Sequence, residues 1–157
     1  MRASSPRSRS QGPGRRAGRG FTLVETLIAV GIAGVLSSIA YPSLESHVMR
    51  ARRSDALVSL MEGQLAQERH RAHNRSYGDL AAIGVRRTSF SGHYAIEVAA
   101  RGVDGYELVA TATGRQAHDT TCRTLRIVVA GGNTVHASGP DATASNAAAV
   151  NRKCWNQ

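Results

Sequence analysis

The sequence lacks the patterns that usually betray an enzyme. It has no GxSxG turn for a nucleophilic serine, no glycine-rich loop for phosphate and no CxxC pair. Gly131-Gly132 follows a strand-like run and reads as a turn. Cysteine is scarce: Cys122 and Cys154 are the only two, both in the C-terminal third. Two isolated cysteines make a poor metal site. An even count in a translocated domain suggests a disulfide instead. The loop it would close, of roughly 33 residues, is worth about 3.5–4 kcal/mol in the chain-entropy model. Aromatic residues make up 4% of the chain, and none precedes Phe21. The N-terminal Arg2, Arg7, Arg9, Arg15, Arg16 and Arg19 therefore have no stacking partners of the kind a nucleic-acid tail uses. They read as an orientation signal that keeps the N-terminus in the cytoplasm. Acid is missing too, since no Asp or Glu precedes Glu25. The net charge of +9 falls to +3 once those six arginines are set aside.

What the chain does have is a run of mostly apolar residues from Phe21 to Ala40, interrupted by Glu25. Such a run is long enough to cross a bilayer at ~1.5 Å per residue. A carboxylate inside it costs roughly 2.5–3.5 kcal/mol on insertion scales and so implies a task and a partner. Gly31, Gly34, Ser37 and Ser38 give small faces for close helix contact in lipid. Ser38-Ile39-Ala40 could end a secretory signal peptide, with a soluble chain starting at Tyr41. The run is longer than a signal core, however, and carries its acid in the first turn.

Pro42 is expected to kink the helix rather than end it. Beyond it, Leu44, Val48 and Ala51, then Leu57, Leu60, Met61 and Leu65, form an apolar stripe. Arg50, Arg52, Arg53, Glu62, Gln64 and Glu68 supply the polar side. Asn74, Ser76 and Gly78 mark the end of the helix. The period then changes to 2. Tyr94–Val98 and Tyr106–Thr111 read as a hairpin across the turn of residues 102–105, Cys122–Val129 as a third strand, and Asn133–His136 as a short fourth. Residues 138–150 read as an exposed loop. The expected fold is α+β, a long N-terminal helix whose second half covers a sheet of three or four antiparallel strands. The expected divisions are a leader (1–20), an apolar stalk (21–42), an amphipathic half-helix (43–74) and a head (75–157). His70 and His73 lie at i, i+3, but no third metal ligand is placed by the sequence.

Gly20-Phe21-Thr22-Leu23-Val24-Glu25, followed by the apolar run, resembles the type IV prepilin signature. Tyr106–Ala112, Asp119-Thr120-Thr121-Cys122, Leu125-Arg126-Ile127 and the terminal Cys154-Trp155 are similar to the C-terminal half of minor type IV pilins. This resemblance implies cleavage between Gly20 and Phe21 by a prepilin peptidase/methyltransferase and methylation of the new Phe21 amine. It implies that Glu25 pairs with a neighbouring subunit's amine, that Gly34 and Pro42 are helix-weakening positions, and that Cys122 and Cys154 are bonded. It further implies residence in a bacterial inner membrane, N-terminus inside, then assembly with other pilins at an inner-membrane platform into an extracellular filament. No cofactor, metal or catalytic residue is expected. Twitching motility, adhesion and DNA uptake are roles known in the family. The alternative is a pseudopilin of type II secretion, though the last third offers only Asp119 and Asp141 for an acidic calcium loop. A basic patch of Arg115, Arg123, Arg126, Arg152 and Lys153 could take DNA, against an expectation of scattered, solvated charges.

Overall fold

The computed structural model describes residues 20–155. The leader therefore lies outside the described residues, apart from Gly20, as do the side chains of residues 40–42. The chain divides into two compact units after residue 40. A helix, α1 (Leu23–His73), contributes to both.

In the first unit α1 is started by Thr22. Its hydroxyl accepts a hydrogen bond from the Glu25 amide at 3.2 Å, satisfying one orphan donor of the first turn. From Phe21 to Ile39 the large apolar side chains are all more than half exposed. No single helix among the described residues is long and apolar enough to cross a membrane; by length and composition Leu23–Ile39 and Ser43–His73 of α1 could do so only together.

In the second unit four strands follow in chain order. They are β1 (Tyr94–Arg101), β2 (Gly105–Ala112), β3 (Thr124–Ala130) and β4 (Asn133–Gly139), all antiparallel to their neighbours. Tyr106, Leu108 and Ala110 of β2 pair with Val129, Ile127 and Leu125 of β3, so period-2 alternation places six buried side chains on one face. A bulge between Val98 and Ala100 carries β1 three residues beyond its expected end.

The helix meets this face with a surface the apolar stripe marks only in part, through Leu60 and half-buried Leu57. Arg53, Ala56, Leu60, Gly63 and Gln67 are buried, whereas Leu44, Met61 and Leu65 are exposed. Gly63 lets the sheet come close: a methyl built on it would come within 3.1 Å of Leu108 Cδ1. Arg53, expected on the polar side, lies in the interior. Residues 138–150 also differ from the loop expected there. β4 runs to Gly139, and a helix, α2 (Ala148–Cys154), docks beside it. Asn151 fixes that docking by accepting from Ser138 Oγ at 2.6 Å and donating to the His136 carbonyl at 2.7 Å. Trp155 stacks on His136 with ring centroids 4.3 Å apart.

Candidate functional site

The most constrained region of the head lies where β2 hands over to β3. A short 3-10 helix, Gly114–His118, leads into Asp119 and Cys122, and Cys122 is bonded to Cys154 at the end of α2. Their Cα atoms are 5.4 Å apart. This is the bond expected from the cysteine pair. Beneath it sits an ion pair that spacing could not reveal. Arg53 Nε donates to Asp119 Oδ2 at 2.7 Å and Nη2 to Oδ1 at 2.9 Å, with both side chains about 95% buried. Arg53 Nη1 also donates to the Lys153 carbonyl at 2.9 Å, tying α2 to α1. The Cys122 amide approaches Asp119 Oδ1 at 3.4 Å.

Gln116 completes the network. Its Nε2 donates to the Met49 carbonyl at 3.1 Å and to Tyr94 Oη at 3.0 Å. Burial pushes the Tyr94 phenol up to about 12, outweighing the hydrogen bond from Gln116. A forked guanidinium on a buried carboxylate makes the geometry of the loop definite, because both ions need every one of these contacts.

The electrostatic consequence is directional. The acid of this loop, Asp119, points inward and is neutralised by Arg53, while the cations around it point outward. Arg115, Arg152 and Lys153 are exposed. Arg123 is half-buried, its Nε donating to the Ala117 carbonyl at 3.0 Å. The disulfide, the Arg53 bridge and this last bond bring the four onto one loop system. Arg126 is not part of it: on the far face of the sheet it pairs with Glu107 at 2.7 Å. Four of the five residues thus lie on two segments, 114–123 and α2, that the disulfide and the Arg53 bridge tie together. Asp141 accepts from the Thr143 amide and hydroxyl in a tight turn and feels the charge of Arg123. Those bonds hold its carboxyl below the ordinary value of 3.8.

A second fixed feature lies just before β1. The turn at residues 89–93 is clamped by Asp55 of α1, which accepts from Ser89 Oγ, from the Ser91 amide at 3.0 Å and from the His93 amide at 3.4 Å. Burial alone would raise the Asp55 pKa, but the bonds from Ser89, Ser91 and His93 outweigh it and hold the carboxyl below 3.8. A lowered carboxyl contributes stability above its unfolded pKa. That contribution is lost only as the pH falls through the lowered folded value.

At the N-terminus Gly20 and Phe21 precede the helix and are exposed, as is Glu25 in its first turn. Thr22-x-x-Glu25 also has the form of a capping box, of which the structure shows the Thr22 half. Gly34 is helical, with open space where a Cβ would lie; the side chain of Pro42 lies outside the described residues. His70 and His73 line a groove with Glu62, yet among the described residues no group of three or more His, Cys, Asp or Glu could hold a metal.

Comparison with known proteins decides the family. The model of the family described as "Type IV minor pilin ComP, DNA uptake sequence receptor" matches residues 42–126, more than half of the chain. The chain belongs to this type IV minor pilin family. The prokaryotic N-terminal methylation motif matches residues 15–41. Among curated relatives, the type IV major pilin PilE of Neisseria gonorrhoeae is 35% identical over 83 residues, 51% of this chain and 49% of the relative. A fimbrial protein of Neisseria meningitidis is 34% identical over 73 residues, 45% of this chain and 42% of the relative. The fimbrial protein EcpC of Eikenella corrodens is 34% identical over 99 residues, 60% of this chain and 61% of the relative. The chain thus spans about half the length of the first two pilins. Arg53, Arg115, Asp119 and Arg123 fall inside the minor-pilin match, and α2 falls outside it.

Proposed function

We propose that this chain is a minor subunit of a type IV pilus whose head binds DNA during uptake. The basic leader holds the precursor in the inner membrane with its N-terminus inside. Prepilin peptidase/methyltransferase cuts between Gly20 and Phe21 and methylates the new amine. The apolar stalks then leave lipid for a bundle with other pilin subunits at the inner-membrane assembly platform. There the Phe21 amine of one subunit neutralises Glu25 of another, and the heads face outward. The exposed apolar surface of residues 21–39 supports this reading, because such a surface needs lipid or like helices to cover it. N-terminal sequencing of the membrane-extracted protein should give a chain that starts at Phe21. A start at Tyr41 would remove the pilin reading.

The observation that carries the DNA reading is the loop whose acid is taken inward by Arg53 while Arg115, Arg123, Arg152 and Lys153 surround it. Cations held on a rigid frame release counterions when they meet phosphates, so binding weakens linearly on a log–log plot against salt. Among the described residues, Arg115, Arg152 and Lys153 make no side-chain bond that the loop depends on. Replacing all three with alanine should weaken binding and flatten the salt slope by about 2–3 units, near 0.9 per lost phosphate contact. Titration of labelled duplex at several salt concentrations measures it. An unchanged slope would show that DNA is not held at this surface.

A further inference from the structure

Phe90 is 80% exposed, although the turn that carries it is one of the most firmly held in the head. The Asp55 clamp fixes Ser89 and Ser91 on either side. Ser89 Oγ also accepts from the Tyr94 amide at 3.0 Å, and Gly92 closes the turn at φ +74°, a left-handed conformation that glycine adopts without cost. The ring is therefore held in water by design of the turn rather than by fraying of a loop. Its surroundings are specific. The Arg86 guanidinium lies over the ring, 5.4 Å from its centroid. An open groove of about 530 Å³ runs from Phe90 along Val48, Ala51 and Val58 of α1, with Arg52 and His93 in its wall. Asp55, the acid in that wall, has its oxygens turned onto the 89–93 turn. Arg52 and Val48 also wall a second groove, lined as well by Arg115 and Glu45, so the two grooves share a wall.

We propose that Phe90 is the apolar contact of the DNA surface, a ring backed by Arg86 that stacks on a nucleobase at a deformable base step. The proposal rests on the DNA reading above and adds the group that meets the bases. Charge decides between occupants: Arg52, Arg86 and His93 stand around this groove, the Asp55 in its wall is committed to the turn, and against Glu45 of the neighbouring groove stands Arg115, a balance that suits a polyanion with flat apolar faces. Arginine and aromatic side chains together form the platform on which bases stack, and phenylalanine is among the wedges that enter base steps. Stacking is an uncharged contact, so it should govern affinity without altering the salt slope.

The test uses the full mature chain in detergent and a labelled mixed-sequence DNA duplex, alongside the same sequence as a single strand. Phe90→Ala should weaken binding to at least one of these by about tenfold with an unchanged salt slope. Phe90→Trp should retain affinity, and its emission should be quenched on DNA binding; Trp155, the native tryptophan, is buried and should not respond. Unchanged melting of Phe90→Ala would show that the turn survives. Equal affinity of Phe90→Ala and the native chain for both DNA forms would overturn the proposal, and so would a loss of affinity that follows the salt slope. Entry of Phe90→Ala into filaments falling while DNA binding stays normal would assign the ring to a neighbouring pilin and also overturn it. If the native chain itself binds neither DNA form, the DNA reading fails first.

Discussion

Asp119→Ala is expected to destabilise the head by about 3–5 kcal/mol, the usual result of leaving one member of a buried ion pair without its partner. Arg53 would remain in the interior as an uncompensated cation, since its side chain is 5% exposed and reaches nothing else of opposite charge there. The Cys122 amide would lose an acceptor as well. Urea unfolding of the oxidised protein measures the effect. The paired replacement Arg53→Met with Asp119→Leu should cost far less, because apolar residues of similar volume often replace a buried pair without loss. DNA binding separates the two outcomes further. The paired variant keeps the exposed cations but loses the fork that aims the loop. Its affinity should therefore fall more than its stability. If Asp119→Ala costs less than about 1 kcal/mol, the pair is reached by water and does not hold the loop.

Glu25→Ala should leave processing at Gly20–Phe21 largely intact while depleting the protein from sheared filaments. The acid lies in the first turn of α1 beside an apolar surface that lipid or other stalks must cover. Its removal relieves an insertion cost of roughly 2.5–3.5 kcal/mol, so the mature subunit should accumulate in the inner membrane. A complete capping box would give Glu25 a competing local role, and glutamine separates the two. Glu25→Gln preserves a residue that can serve the box but cannot balance a cationic amine. Quantitative blotting of membrane and sheared fractions distinguishes them. If the acid acts through charge, Glu25→Gln should be impaired like Glu25→Ala. If it acts as a cap, glutamine should assemble normally, and the pairing account would be wrong.

The prepilin motif and the methylation-motif match over residues 15–41 agree because that signal is local: a glycine, an aromatic residue, an acid and an apolar run in fixed order. The four strands were legible for a similar reason. Period-2 alternation states which side chains share a face, and one buried face is all that a half-covered sheet requires. The end of α1 near Asn74 was legible from its polar and glycine punctuation. The face of α1 was legible only in part. The apolar stripe shares Leu57 and Leu60 with the buried face, yet Ala56 and Gly63 complete that face, and Met61 and Leu65 stay exposed for other contacts. α2 escaped because seven residues rich in alanine carry too little pattern to announce a helix. Its stability comes from docking on β4 through Asn151 and from the disulfide.

By itself the sequence determined the N-terminal processing signature, the helix-then-sheet order and the cysteine pair. Each is written in neighbouring residues or in a count. Tertiary structure decided what the cations do. Arg53 and Arg115 look alike in the sequence, but one is buried on an acid 66 positions away and the other is exposed. Charge acts through distance and dielectric, and only the folded chain sets either. The same holds for Phe90, whose exposure means something only because Asp55, 35 residues earlier in the chain, holds its turn in place.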